Sequence, residues 1–318
     1  MRDRRYARRL LAAGIVMLGT GLPFAGPASA SPARPTAPAW SSPAQVAELT
    51  ASDGASGDWF GIPVAITADG NTALIGASYR DSATGAAYVF TRTPAGWQQA
   101  PGWRQTAELT ASDAADGDRF GQSVALTADG NTALIGAVGR DSYTGAAYVF
   151  ASTRSGWQQA AELTASDAAS GDSFGEAVAL TADGKTALIG APNHDSDTGA
   201  AYAFVRTRAG WQQAGELTAG DGAVGDHFGV SVAVTADGNT AVIGANYHDS
   251  ATGAAYVFAS TRSGWQQTAE LTASDGASGN YFGDWVAITP AGNTILIGAL
   301  GRDSFTGAAY VFALRCWW

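Results

Sequence analysis

FGQSVALTADGNTALIGA, residues 120–137, reads as two short strands and the turn between them. Ser123-Val124-Ala125-Leu126-Thr127 is short, rich in β-formers and bounded by Asp129-Gly130. Asp-Gly between two apolar segments is a strong hairpin signal, since both central residues of a type I′ turn need φ > 0. Ala133-Leu134-Ile135-Gly136-Ala137 is then the partner strand. The same stretch returns along the chain. Phe-Gly stands at Phe60-Gly61, Phe120-Gly121, Phe174-Gly175, Phe228-Gly229 and Phe282-Gly283, at intervals of 60, 54, 54 and 54 residues. Asp-Gly recurs at Asp69-Gly70, Asp183-Gly184 and Asp237-Gly238, and Ala291-Gly292 replaces it in the fifth unit. Self-similarity at such a period marks a solenoid, propeller or array.

Each unit has four parts. A/G-E-L-T comes first, as in Ala107-Glu108-Leu109-Thr110; the Phe-Gly segment and A-L-I-G-A follow; T-G-A-A-Y-V-F closes the unit, as in Thr144 to Phe150. A turn at Arg154-Ser155-Gly156 then leads through Trp157-Gln158-Gln159 into the next A-E-L-T. The six extra residues of the first interval read as an insertion, Pro101 to Thr106, after Trp97-Gln98-Gln99. Four short antiparallel strands per unit, with turns throughout, predict an all-β propeller of four-stranded blades.

The units resemble FG-GAP repeats, the repeat of integrin α-subunit β-propellers. Phe-Gly and the later Gly-Ala carry the resemblance, and the third unit contains Gly190-Ala191-Pro192. It covers about residues 45–313 and is nearest to the short, calcium-loop-poor form of secreted bacterial proteins. The resemblance implies that Phe-Gly opens the inner strand, Gly-Ala ends the second, Tyr-Val-Phe is the third and Ala-Glu-Leu-Thr the outer fourth. The chain then begins with an outer-type strand, Val46 to Thr50, and ends with a third-type strand, Gly307 to Phe312. The N-terminal strand is expected to complete the last blade and close a five-bladed ring, removing exposed edges. Integrin-type propellers usually have seven blades, so the count departs from that family.

Integrin-like blades often hold calcium in an Asp-x-Asp-x-Asp-Gly-x-x-Asp hairpin loop. Here that loop has shrunk to Ala-Asp-Gly-Asn-Thr, with one carboxylate, so the site does not carry over. A second acidic loop, Asp113 to Asp118 with Asp141 nearby, offers calcium another place. Capping of backbone amides by these Asp side chains is the preferred reading, and no cofactor is assigned. No H-E-x-x-H, G-x-S-x-G or phosphate loop occurs, so no catalytic residue is assigned and the chain is read as a non-enzyme. One alternative is a carbohydrate-active enzyme. Glu176 and Asp284, which follow Phe-Gly in their units, could form a carboxylate pair in the central channel. Another is a structural domain of a cell-envelope assembly. The repeated Trp97, Trp157, Trp211 and Trp265 are read as packing between blades, ahead of a sugar-stacking role.

Variation among near-identical units marks positions that the fold leaves open. One variable position precedes Phe-Gly: Trp59, Arg119, Ser173, His227 and Tyr281. Another follows Gly-Ala: Tyr79-Arg80, Gly139-Arg140, Asn193-His194, Tyr247-His248 and Gly301-Arg302. A third comprises Ala83, Tyr143, Asp197, Ala251 and Phe305. In an antiparallel blade the 4→1 and 2→3 loops lie on one face, so these positions should gather there. Aromatic and Arg residues are the usual anchors of binding surfaces. The candidate binding residues are therefore Trp59, Tyr79, Arg80, Arg119, Arg140, Tyr143, His194, His227, Tyr247, His248, Tyr281, Arg302 and Phe305. Protonation of His194 and His248 would make anion binding there depend on pH.

Composition supports a packed, exported chain. Hydrophobic residues make up 46%, which excludes simple disorder, and the single Cys316 excludes a disulfide framework. Arg2, Arg4, Arg5, Arg8 and Arg9 precede an apolar run from Leu10 to Gly26 and the A-x-A site Ala28-Ser29-Ala30. This is the pattern of a secretory signal over residues 1–30, cleaved near Ala30-Ser31. Arg8-Arg9 leaves the general and twin-arginine routes both open. Residues 31–44 are a Pro/Ala/Ser-rich lead-in, and 314–318 a tail. Losing five Arg and one Asp with the signal takes the net charge from −10 to −14, which argues against nucleic acid as a partner. The expected protein is a secreted monomer without a membrane span, a binding or adhesion module for an extracellular protein or glycan.

Overall fold

The computed structural model describes residues 45–93 and 102–314. The signal segment 1–30, the lead-in 31–44, Trp97 and Cys316 lie outside the described residues. The main unit, from Ala47 on, is a five-bladed β-propeller. Blade 1 comprises β1 (Val64–Ile66), β2 (Thr72–Ala77), β3 (Ala86–Thr93) and β4 (Gly102–Leu109). Blade 2 comprises β5 (Phe120–Leu126), β6 (Thr132–Ala137), β7 (Ala146–Thr153) and β8 (Gly156–Leu163). Blade 3 comprises β9 (Val178–Leu180), β10 (Thr186–Ala191), β11 (Ala200–Thr207) and β12 (Gly210–Leu217). Blade 4 comprises β13 (Phe228–Val234), β14 (Thr240–Ala245), β15 (Ala254–Thr261) and β16 (Gly264–Leu271). Blade 5 comprises β17 (Phe282–Ile288), β18 (Thr294–Ala299) and β19 (Ala308–Ala313). Neighbours in each sheet are antiparallel and consecutive in sequence, in the order foreseen. No helix among the described residues is long and apolar enough to cross a membrane.

The Asp-Gly hairpin exists, but its turn is not type I′. Only the glycine has positive φ, at 69° for Gly130. The Gly130 amide donates to the Thr127 carbonyl at 3.0 Å, and the Thr127 amide to the Thr132 carbonyl at 3.0 Å, so four residues form the loop. Longer hairpin loops of this kind are built around a type I turn. Asp129 stabilises it locally: one carboxylate oxygen accepts the Thr127 hydroxyl at 2.6 Å and the Asn131 amide at 3.0 Å. The side-chain bonds of Asp and Thr select this turn over the two-residue one.

The insertion also falls elsewhere. Thr93 pairs with Gly102 and Arg92 with Trp103, as Thr153 pairs with Gly156 and Ser152 with Trp157. The extra residues therefore lie within 94–101, and Trp103 takes the place assigned to Trp97. A turn absorbs added residues at small entropic cost, whereas one residue more in β4 would flip every side chain to the wrong face.

The core lies between blades. Leu134, Val149 and Leu163 of blade 2 meet Phe174, Ile189, Tyr202 and Phe204 of blade 3, and Trp211 packs on the edge of this cluster. The other interfaces repeat it. Phe120, Phe174, Phe228 and Phe282 are fully buried, each worth about 1.5–3 kcal/mol of transfer free energy. The blades approach so closely that Gly190 faces the Gly229 carbonyl oxygen with no space for a Cβ.

The seam between blades 5 and 1 is not sealed in this way. Leu296 is 47% exposed and Val311 69%, while their equivalents Leu134 and Val149 are buried. On the other side Val64 and Ile66 are exposed. The expected closing strand is not found among the described residues: residues 45–50 form no strand, and blade 5 has three there. Leu49 and Ala51 instead pack on Ile75, Tyr88 and Phe90 of blade 1, as Leu109 and Ala111 pack against blade 2. The segment keeps its place against blade 1 without pairing to β19.

Candidate functional site

The 2→3 loop of each blade meets the 4→1 loop of the next, as the variable positions required. The amides of Arg119, Ser173, His227 and Tyr281 donate to the carbonyls of Ala83, Tyr143, Asp197 and Ala251 at 2.7–2.9 Å. To aim those carbonyls, the 2→3 loop makes a left-handed turn. Asp141, Ser142 and Tyr143 have φ of 49°, 59° and 63°, and all five blades repeat the run. The positions preceding Phe-Gly are left-handed too, at φ 54–60°. Each such L-residue costs about 1–2 kcal/mol, offset here by hydrogen bonds between blades. Large side chains nonetheless occupy these strained positions.

Those side chains stack. Trp59 lies 4.0 Å from Tyr79, and the Arg119 guanidinium sits between the Tyr79 and Tyr143 rings, at 5.0 and 5.2 Å. In blades 4 and 5 the row runs His227–Tyr247–Tyr281–Phe305, at 4.8, 5.1 and 6.3 Å. Blade 3 interrupts it with Ser173, Asn193 and Asp197, and the Asn193 amide donates to the Ser173 hydroxyl at 3.2 Å. Trp59 is 55% and Phe305 69% exposed. A pocket of about 260 Å³ opens in the second row, walled by Tyr247, Tyr281, Leu300 and Phe305 with Asn246 and Asp284 at its polar side.

The remaining candidates, Arg80, Arg140, His194, His248 and Arg302, turn inward to carboxylates. Arg80 contacts Asp53 at 2.6 Å and Glu108 at 3.1 Å; Arg140 contacts Asp113 at 2.5 Å and Glu162 at 3.2 Å. Arg302 contacts Asp275 at 2.7 Å and, with no fourth-strand Glu beside it, the neighbouring Asp303. The imidazole Nδ1 of His194 bonds Asp172 at 3.0 Å, and that of His248 bonds Asp226 at 2.8 Å. Burial opposes charge on both rings, but these bonds and nearby carboxylates outweigh it and raise both pKa values. Burial likewise opposes the Asp113 charge, and the Arg140 and Tyr148 bonds hold that carboxyl below the usual range. The sequence signal for this network is the constant separation of 27 residues between Asp and Arg.

The acidic loops cap turns. Asp58, Asp118, Asp172 and Asp226 accept the amides of Ala55, Ala115, Ala169 and Ala223 at 2.7–2.9 Å. Glu176 and Asp284 line one central pocket of about 380 Å³ to which all five blades contribute. Each has its own partner there: Glu176 accepts from Gln122 at 3.4 Å, and Asp284 from Asn246. Burial raises the pKa of both, offset in part by those hydrogen bonds. The second oxygen of Asp284 is buried without a partner.

The FG-GAP repeat family model matches residues 43–90, 103–150, 157–204, 211–258 and 265–312. The gap in the match between residues 90 and 103 brackets the inserted residues. No curated protein is significantly similar to the chain.

Proposed function

The chain belongs to the FG-GAP repeat family, and from that premise we propose that it is an exported binding module whose ligand docks on the aromatic face. The observation that carries the proposal is the stacking of Trp59, Tyr79, Arg119 and Tyr143, and of His227, Tyr247, Tyr281 and Phe305, with Trp59, Tyr143, Tyr247 and Phe305 exposed. These side chains lie outside the buried clusters between blades, and Trp59, Arg119, Tyr143, His227, Tyr281 and Phe305 sit at left-handed backbone positions that disfavour them. Folding gains little from them, and rigid aromatic area with an Arg is what interfaces use as anchors. The pocket beside Tyr281 joins aromatic walls to an amide and a carboxylate. That combination suits a sugar ring, which offers C–H faces for stacking and hydroxyls for hydrogen bonds. A glycan is therefore the favoured ligand class, with an extracellular protein as the other outcome of the test. The test is a screen of the chain against arrays of glycans and extracellular proteins. A hit that Tyr281→Ala and Phe305→Ala weaken supports the reading; a screen without a hit, or a hit indifferent to both, overturns it.

A second reading rests on the raised pKa values of Glu176 and Asp284 in one pocket. A glycosidase needs one carboxyl held protonated. Turnover of a glycan hit, lost in Glu176→Gln and Asp284→Asn, would favour it; binding without turnover returns the case to the module.

A further inference from the structure

Blades 3 and 4 carry His where blades 1, 2 and 5 carry Arg, and the exchange leaves a differently shaped site. In blades 1 and 2 one guanidinium nitrogen bridges an Asp and a Glu at 2.5–3.2 Å. The shorter imidazole stops short of them. His194 Nε2 lies 3.9 Å from Asp167 and 3.9 Å from Glu216, and His248 Nε2 lies 3.9 Å from Asp221. In each of the sets Asp167–His194–Glu216 and Asp221–His248–Glu270, the donor atoms lie within 4.8 Å of one another.

Three features describe the surroundings of this gap. The other ring nitrogen of each His is held by a buried Asp, Asp172 or Asp226, which fixes the ring with Nε2 facing the two carboxylates. Carboxylate–histidine orientation of this kind is the usual support of a metal-binding imidazole. Second, Tyr202 and Tyr256 are fully buried beside these clusters, and their hydroxyls lack a hydrogen-bond partner, as does that of Tyr88 in blade 1. In blade 2 the equivalent Tyr148 hydroxyl contacts both Asp113 and Arg140, at 3.0 and 2.9 Å. Third, the Nε2 of each ring faces an Asp and a Glu carboxylate where blades 1 and 2 place a guanidinium nitrogen.

We propose that Asp167, His194 and Glu216, and likewise Asp221, His248 and Glu270, each bind a divalent transition-metal ion of the zinc class. Bond lengths of about 2.0–2.2 Å separate donors around a tetrahedral ion by about 3.4 Å. To reach that spacing the exposed Asp and Glu side chains close the gaps of 3.9–4.8 Å by about 0.5–1.4 Å. One imidazole and two carboxylates suit zinc better than calcium, which takes six to eight oxygens. Water fills the fourth position. The ion does for blades 3 and 4 what the guanidinium does for blades 1 and 2: it ties the outer strand to the 2→3 loop.

The test uses the full chain, stripped with chelator and titrated with Zn²⁺ at pH 7.5 by calorimetry and elemental analysis. Two ions per chain are expected, with a rise in melting temperature. His194→Arg and His248→Arg singly should each leave one, and together none. These variants recreate the pattern of blades 1 and 2, so they should fold and melt as the metal-free chain does. Asp167→Asn with Asp221→Asn provides a second loss-of-binding variant at exposed positions. No uptake at 100 μM Zn²⁺, or uptake unchanged in the double Arg variant, would overturn the proposal.

Discussion

Glycine at one repeat position should be indispensable in four blades and replaceable in the fifth. Gly190 and Gly298 occupy equivalent sites, in β10 and β18. A Cβ on Gly190 would land inside the van der Waals shell of the Gly229 carbonyl oxygen in the next blade. Backbone there has no rotamer to move aside, so blades 3 and 4 must separate. Overpacking costs about 1–3 kcal/mol even where side chains yield, so Gly190→Ala should cost about 3 kcal/mol. At Gly298 the nearest atoms are Trp285 Cβ and carbonyl oxygen, both 3.8 Å away, which is ordinary contact. Removing a glycine where the backbone tolerates Ala gains about 0.4–1 kcal/mol through the unfolded chain. At about 2–4 °C per kcal/mol, calorimetric melting should fall by about 6 °C or more for Gly190→Ala and stay level or rise slightly for Gly298→Ala. Equal losses would mean that the seam beside blade 5 is sealed like the others. No loss for Gly190→Ala would refute the close approach of the blades.

Two further perturbations probe the loops and the channel. Ala251 has φ of 62°, and relief of its left-handed strain, about 1–2 kcal/mol, exceeds the added entropy cost of glycine, about 0.5–1 kcal/mol. Ala251→Gly should therefore raise the urea midpoint, and a fall of that midpoint would contradict the strain argument. Glu176 has a raised pKa because of burial, so its charge destabilises the fold once pH exceeds the unfolded pKa. Glu176→Gln should raise the melting temperature at pH 7, with the gain vanishing as pH falls below about 4; a gain of equal size at both pH values would refute it.

The blade was legible in the sequence because one unit is written five times. Phe120, Leu134, Tyr148 and Leu163 recur at fixed spacing, and each repetition confirms strand order and buried face. Three features were less legible because they depend on atoms rather than pattern. The turn at Asp129-Gly130 is set by the reach of the Asp129 and Thr127 side chains, which composition does not distinguish from a type I′ turn. The insertion was misplaced because Gly-Trp occurs twice, at Trp97 and Trp103, and only strand register selects Trp103. Arg80, Arg140 and Arg302 read as exposed anchors until their partners Asp53, Asp113 and Asp275, 27 residues earlier, came into contact. The variable positions do gather where the 2→3 and 4→1 loops meet, but Arg80, Arg140 and Arg302 belong to ion-pair networks there, and of the aromatics Trp59, Tyr143, Tyr247 and Phe305 are exposed.

The central claim is that this aromatic face is the binding surface. The most direct measurement is the affinity of the screened ligand for the chain and two paired variants, Trp59→Ala with Tyr143→Ala and Tyr247→Ala with Phe305→Ala. Lys185→Ala, in a turn on the opposite face, is the control. A loss of tenfold or more in at least one pair, with melting temperature unchanged and Lys185→Ala neutral, is the predicted result. Full affinity in both pairs, or a comparable loss in Lys185→Ala, would contradict it.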